Sequence, residues 1–217
     1  MSWKKTVFKN FKLYAITDLR TEDAAVFGKV EAAYRGGADI VQLRSKVLSD
    51  AVLYRIGLQF RKIADRYRKL FFINDRPDLA LATEADGVHL GQEDLSLEAV
   101  RKILKGRKLF VGRSTHSLDQ AVAAMREGLD YFGVGPIFQT PTKPTYQPVG
   151  TDLIERVREK HPKIPFVCIG GIQEKNVREV IRAGAKRIAV VRGIFDALDV
   201  FEAAKNFRRI LEENVEN

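Results

Sequence analysis

The sequence is poor in several things at once. Its 217 residues include one cysteine, Cys168, and three histidines. A lone cysteine cannot form an intramolecular disulfide, and one Cys with three His gives no structural zinc pattern. No run of about 20 apolar residues occurs, so no membrane-spanning helix is expected. The opening Met1-Ser2-Trp3-Lys4-Lys5 has none of the apolar stretch of a signal peptide. No linker rich in Ser, Gly or Pro divides the chain, and no low-complexity tract interrupts it. No Gly-x-Gly-x-x-Gly opens the first unit, which removes the main support for a dinucleotide fold. No Ser-His-Asp order with a nucleophile elbow is present either. Together these absences predict a soluble, cytoplasmic, globular protein in one domain over 1–217, with a cap segment at 1–11 and a terminal helix at 198–217.

What is abundant is charge. Lys and Arg number 37 against 28 Asp and Glu, giving a formal +9, and apolar residues make up 45%. That apolar fraction supports a large core and argues against disorder. Excess positive charge suits nucleic acid, an acidic membrane or phosphorylated small molecules, and does not choose among them. The basic residues are dispersed, as at Arg35, Arg61, Lys102, Arg126, Arg158 and Lys186. A nucleic-acid binder would cluster them with stacking aromatics on one face. The dispersal fits a solvated surface, so neither nucleic acid nor membrane is expected as a partner.

Short apolar runs recur at 13–16, 40–43, 70–73, 87–90, 109–111, 131–134, 165–169 and 187–191. Most are apolar on both faces, as strands of a helix-covered parallel sheet are. Helix-like segments lie between them at 21–35, 50–67, 76–82, 96–104, 117–127, 151–160, 173–183 and 199–213. Ser96 and Ser117 stand where they can cap. A phrase repeats where a helix closes and a strand opens: Ala38-Asp39, Ala85-Asp86, Leu129-Asp130 and Ala185-Lys186. Strict alternation of eight strands and eight helices predicts an α/β protein with a (β/α)8 TIM-barrel fold, the runner-up being an open doubly wound sheet.

In a barrel, the loops after the strands build the active site. Those loops carry Arg44, Lys46, Asn74, Asp75, Asp94 and Lys143. Arg and Lys bind phosphoryl oxygens. The two carboxylates beside them make sense if Mg2+ lies between carboxylate and phosphate, a composition that suggests a magnesium-diphosphate site. Any one of these residues alone is more often structural, but six at the same end of successive strands favour function. Gly170-Gly171 after the seventh strand lets backbone N–H groups approach a second anion. His89 reads as an interior histidine, His116 equally as a loop support or a substrate contact, and Cys168 as a small buried apolar residue. The loop 139–149 is long and Pro-rich, which suits a lid.

The set Gln42-Leu43-Arg44-Ser45-Lys46, Ile73-Asn74-Asp75, Gly91-Gln92-Glu93-Asp94, Gly112-Arg113-Ser114-Thr115-His116, Gly135-Pro136-Ile137-Phe138, Thr140-Pro141-Thr142-Lys143-Pro144 and Ile169-Gly170-Gly171-Ile172 resembles thiamine phosphate synthase. Each motif is short, but their joint order and spacing are specific, and the likeness runs from Leu13 to about Ala197. It implies a barrel that joins 4-amino-2-methyl-5-hydroxymethylpyrimidine diphosphate to a thiazole phosphate. By the same resemblance, Gln42, Leu43, Arg44, Ser45, Lys46, Asn74, Ser114 and Lys143 bind the pyrimidine diphosphate. Arg44, Lys46 and Lys143 take the catalytic role of stabilising the leaving group, and Asp75 and Asp94 ligate Mg2+. Thr140, Pro141, Thr142, Gly171, Val191 and Arg192 face the thiazole phosphate. Ser45 stands where the family often has an acidic residue. Arg192 stands where Ser is common, and either strengthens anion binding or points outward. The thiazole tautomerase branch is the alternative; it lacks an aspartate at the position of Asp75 and has His at that of Pro136. A third reading is a non-catalytic barrel that binds a phosphorylated ligand or nucleic acid. Related barrels self-associate, so a homo-oligomer stays open.

Overall fold

The computed structural model describes residues 3–213, so Met1, Ser2 and 214–217, which belong to the expected terminal segments, lie outside the described residues. Eight parallel strands close in sequence order into a barrel. They are β1 (Leu13–Ile16), β2 (Ile40–Leu43), β3 (Leu70–Asn74), β4 (Gly87–Leu90), β5 (Phe110–Thr115), β6 (Tyr131–Val134), β7 (Phe166–Ile169) and β8 (Ile188–Val190). The helices are α1 (Trp3–Asn10), α2 (Ala25–Arg35), α3 (Asp50–Tyr67), α4 (Pro77–Ala82), α5 (Leu97–Leu104), α6 (Leu118–Glu127), α7 (Asp152–Arg158), α8 (Val177–Arg182), α9 (Arg192–Phe195) and α10 (Val200–Glu213). The TIM barrel expected from the alternation is therefore the fold.

Several boundaries differ. The segment expected to be helical from 21 turns only at Ala25, because the Asp23 carboxylate accepts from the Ala25 N–H at 2.8 Å and folds a tight turn first. The fifth strand runs on through Arg113, Ser114 and Thr115, pairing with β6 where polar residues had read as loop. The eighth ends at Val190, and residues 192–195 form the unforeseen α9. Ser96 and Ser117 do cap, accepting from Ala99 and Gln120 N–H groups at 3.2 Å each.

The alternation of side chains along each strand divides the apolar residues into two cores. One set, including Leu13, Val41, Phe71, Val88, Phe132, Cys168 and Ile188, packs outward against the helices. The other, including Tyr14, Ile40, Leu70, Phe72, Tyr131, Val167 and Ala189, fills the barrel. Helix α1 closes the N-terminal end of the strands. Its Phe8 stacks on Phe110 with ring centroids 3.8 Å apart, and Phe11 follows it into the inner core. The inner rings are large, so a facing strand must give way. A Cβ on Gly112 would lie 2.1 Å from the Tyr131 ring, which only glycine avoids.

The repeated Asp phrase has a structural meaning. Asp39 accepts from the Lys12 and Leu13 N–H groups at 2.8 and 3.3 Å, Asp86 from Phe71 N–H at 2.9 Å, and Asp130 from Val111 N–H at 2.8 Å. Each carboxylate at the foot of an even-numbered strand ties it to the strand before. Arg61, itself buried, adds a second bond to Asp86 at 2.6 Å. No helix among the described residues is long and apolar enough to cross a membrane.

Candidate active site

Cavities open at the C-terminal ends of the strands, and two of them share a wall. The larger, about 370 Å³, is lined by Gln42, Arg44, Asn74, Ser114, Thr140, Pro141, Thr142, Lys143, Gly171, Val191 and Arg192, among others. The second, about 210 Å³, is lined by Arg44, Lys46, Asn74, Asp75, Asp94, Ser114 and Lys143, together with Tyr146. Arg44, Asn74, His89, Ser114 and Lys143 border both, forming a shared wall. The alternation of β2 explains the selection: Gln42 and Arg44 turn inward, whereas Leu43 and Ser45 do not. Leu43 is buried in the outer core. The Ser45 hydroxyl accepts from the Val47 and Leu48 N–H groups at 3.2 and 3.0 Å, holding the loop turn. Both residues line an adjoining cleft of about 310 Å³ that shares Lys46, Asn74, Asp75 and Asp94 with the second cavity. Leu43 and Ser45 thus line this neighbouring cleft and not the two cavities that share a wall.

The charges are paired with one another. Lys46 Nζ sits 2.5 Å from Asp75 Oδ2, and the Arg44 guanidinium is paired with Asp18. Burial and the neighbouring Asp75 carboxylate raise Asp94, against a 2.6 Å hydrogen bond donated by Gly91 N–H that acts in the other direction. Two adjacent carboxylates disfavour ionising together, which is the condition a cation relieves. Among the described residues no group of three or more His, Cys, Asp or Glu could hold a metal. Two carboxylates suit Mg2+, which keeps waters and takes substrate phosphate oxygens for its remaining positions. The residues present therefore fit that ion. Lys143 is lowered by burial first and then by the Arg44 charge. Its ammonium stands 5.0 Å from the Tyr146 ring centre within the 139–149 loop, and the Tyr146 ring packs 4.6 Å from that of His116 beyond β5.

The glycine pair occupies backbone that favours glycine. Gly170 and Gly171 have φ of 101° and 64°, and a Cβ on Gly171 would come 2.6 Å from the Gln139 carbonyl. Arg192 belongs to α9, and its Nε pairs with Asp196 at 2.8 Å on the cavity rim.

His89 and His116 both line the larger cavity. His89 is the interior histidine expected, with ring nitrogens 2.8 Å from the Tyr131 hydroxyl and 2.9 Å from Ser114 Oγ. Burial pushes it down to about 3. His116 Nδ1 donates to the Gly135 carbonyl at 2.5 Å, which leaves Nε2 with its lone pair, buried and without a partner in the protein. Thr142 Oγ1 is buried and unpartnered in the same cavity. Asp18, Tyr14 and Tyr146 were missed. Asp18 follows the first strand, so the strand-end rule would have found it; nothing local marks the two tyrosines.

A family model described as thiamine monophosphate synthase matches residues 13–194. A thiamine-phosphate synthase of Shouchella clausii is 45% identical over 207 residues, covering 94% of this chain and 98% of the relative. One from Thermus thermophilus is 44% identical over 187 residues, covering 86% of this chain and 89% of its own. This chain belongs to the thiamine monophosphate synthase family. A solved thiamine phosphate pyrophosphorylase from Pyrococcus furiosus superposes with a TM-score of 0.87 at 38% identity, over 96% of this chain and 99% of that one. Barrels below 25% identity, such as a 3-hexulose-6-phosphate synthase at 20% and a TM-score of 0.65, share the fold alone. Membership in the thiamine monophosphate synthase family gives the two cavities and their shared wall a chemical context.

Proposed function

We propose that this chain is a thiamine-phosphate synthase, a transferase joining 4-amino-2-methyl-5-hydroxymethylpyrimidine diphosphate to a thiazole phosphate, with release of diphosphate. The observation that carries the reading is the shared wall: two anion-suited cavities meet at Arg44, Asn74, Ser114 and Lys143. That arrangement suits one ligand that loses a diphosphate beside another that attacks. The relatives' names supply the reaction class.

The chemistry asks for leaving-group stabilisation more than for acid or base. The bond from the pyrimidine methylene carbon to the diphosphate oxygen breaks, and its electron pair leaves with the diphosphate. The resulting carbocation is captured by the thiazole nitrogen lone pair. Arg44, Lys46 and Lys143 stabilise the charge that develops on the departing oxygens. Burial of Lys143 strengthens its field on any phosphate beside it. Asp75 and Asp94 would hold Mg2+, which when bound supplies further charge to the diphosphate. Gln42, Asn74 and Ser114 orient the pyrimidine. Thr140, Pro141, Thr142, Gly171, Val191 and Arg192 receive the thiazole phosphate, and the two cavities set the nitrogen against the carbon. Leu43 and Ser45 act on this site through the backbone of the loop they shape. Pro136 offers no proton, which disfavours the tautomerase reading, and the dispersed basic surface disfavours a nucleic-acid partner. We place the reaction in the cytoplasm, on small-molecule substrates.

Purified protein, incubated with both substrates and Mg2+, should form thiamine phosphate and diphosphate in equal amounts. No product under these conditions would overturn the reading.

A further inference from the structure

A line of side-chain hydrogen bonds crosses the barrel beneath the two cavities. Gln42 Nε2 donates to the Tyr14 hydroxyl at 2.5 Å. The Tyr14 and Tyr131 hydroxyls are 3.2 Å apart. The Tyr131 hydroxyl is 2.8 Å from His89 Nδ1, and His89 Nε2 is 2.9 Å from Ser114 Oγ. The two ends, Gln42 and Ser114, line the larger cavity, while both tyrosines are fully buried in the inner core. The line therefore links opposite walls of the site, β2 and β5, through the middle of the barrel.

Proton counting gives the line a direction. A hydroxyl has one proton, and a neutral imidazole has one N–H. The Tyr14 hydroxyl accepts from the Gln42 amide, and among the described residues its other partner is the Tyr131 hydroxyl, so a buried Tyr14 proton is satisfied by donating to Tyr131. The Tyr131 proton then goes to His89 Nδ1. That nitrogen must be bare, so the ring is neutral and its proton sits on Nε2, facing Ser114 Oγ. Ser114 thus receives a hydrogen bond and keeps its own proton for the cavity. With the Gln42 amide turned over, every bond would reverse, and Ser114 would show the ligand a lone pair. The same geometry has two polarities with opposite consequences for what can bind.

We infer that this relay fixes His89 as its Nε2–H tautomer and makes Ser114 a dedicated hydrogen-bond donor to the ligand. Tyr14 and Tyr131, which line neither cavity, are then positioning residues, and His89, which borders both, passes their polarity to Ser114. They select a ligand with an acceptor atom at Ser114 over one with a donor there. Identifying that ligand as the pyrimidine diphosphate rests on the proposed function; the polarity of the relay does not.

The test separates the two. Nitrogen-15 spectra of the ligand-free protein at neutral pH read the tautomer of each imidazole, with His116→Gln and His161→Gln assigning the three histidines. The expected result is a bare Nδ1 and a protonated Nε2 at His89. A proton on Nδ1, or on both nitrogens, would overturn the inference. Tyr131→Phe keeps the ring and removes the hydroxyl, so His89 should become a mixture of tautomers. In that variant KM for the pyrimidine diphosphate should rise about twofold, because only the molecules with the Nε2–H tautomer present Ser114 as a donor, with kcat moving far less. An unchanged tautomer, or an unchanged KM, would count against the relay. Should Tyr131→Phe fail to fold, Tyr14→Phe cuts the same line one step earlier and carries the same expectations. If the wild-type protein makes no thiamine phosphate, the function fails while the spectra still decide the relay.

Discussion

Asp75 occupies left-handed backbone, with φ of 61°, a region where Asp and Asn are tolerated and most side chains are strained. The position thus constrains both shape and charge, and Asn keeps the first while removing the second. Asp75→Asn should lower Mg2+-dependent kcat/KM by about two to three orders of magnitude, the scale of losing one preorganised electrostatic contact. Its circular dichroism should match the wild type, so wild-type turnover by a folded variant would clear Asp75 of any metal role. Residues of this kind were legible in the sequence because a barrel strand always delivers its C-terminal neighbours to one rim. Arg44, Lys46 and Lys143 could be named on that rule alone. His89 could not be given a role, because its two partners lie on other strands, 25 and 42 residues further along the chain. Leu43 and Ser45 were named by a contiguous motif, yet the period of two along β2 turns them away from Gln42 and Arg44.

At the scale of elements, Asp39, Asp86 and Asp130 explain why a short phrase recurs where helices give way to strands. Each supplies an acceptor at the barrel's lower edge for a backbone N–H at or next to the start of the preceding strand, Leu13, Phe71 or Val111, which would otherwise be buried without one. Asp86 also holds the buried Arg61. Asp86→Ala should therefore destabilise the protein by about 3–5 kcal/mol, the cost of removing one partner from a buried ion pair. Urea unfolding would measure it, and a loss below about 1 kcal/mol, as for a surface pair, would refute the tie. The repeat was visible in the sequence, but its purpose was not, since the acceptor and donor lie on neighbouring strands. Helix starts were read less well than strands. Asp23 illustrates why: a side chain that bonds the backbone two residues on makes a turn where periodicity alone continues the helix.

The whole molecule carries a formal +9, yet much of its positive charge is paired on the surface, as at Arg76 with Asp50 and Asp78, and at Arg208 with Glu212. Its response to acid depends more on what is buried. His89 falls from 6.5 to about 3 because the folded barrel desolvates it. Between those values the unfolded chain binds a proton there and the native chain does not, so stability rises with pH across that window and is lost on acidification. Urea midpoints of wild type and His89→Gln, taken from neutral pH down to about pH 4, should converge as pH falls. A difference between them that stays constant would show that His89 is not held neutral by folding. The sequence by itself determined the alternation of strands and helices, hence the barrel, and the chemical types at its rim, because both follow from local periodicity and chain order. Only the tertiary structure decided which of those residues share a wall, that Arg44 and Lys46 each answer a carboxylate, and that a line of tyrosines and His89 joins Gln42 to Ser114. Those facts depend on closure of the barrel, which brings together residues far apart in the chain.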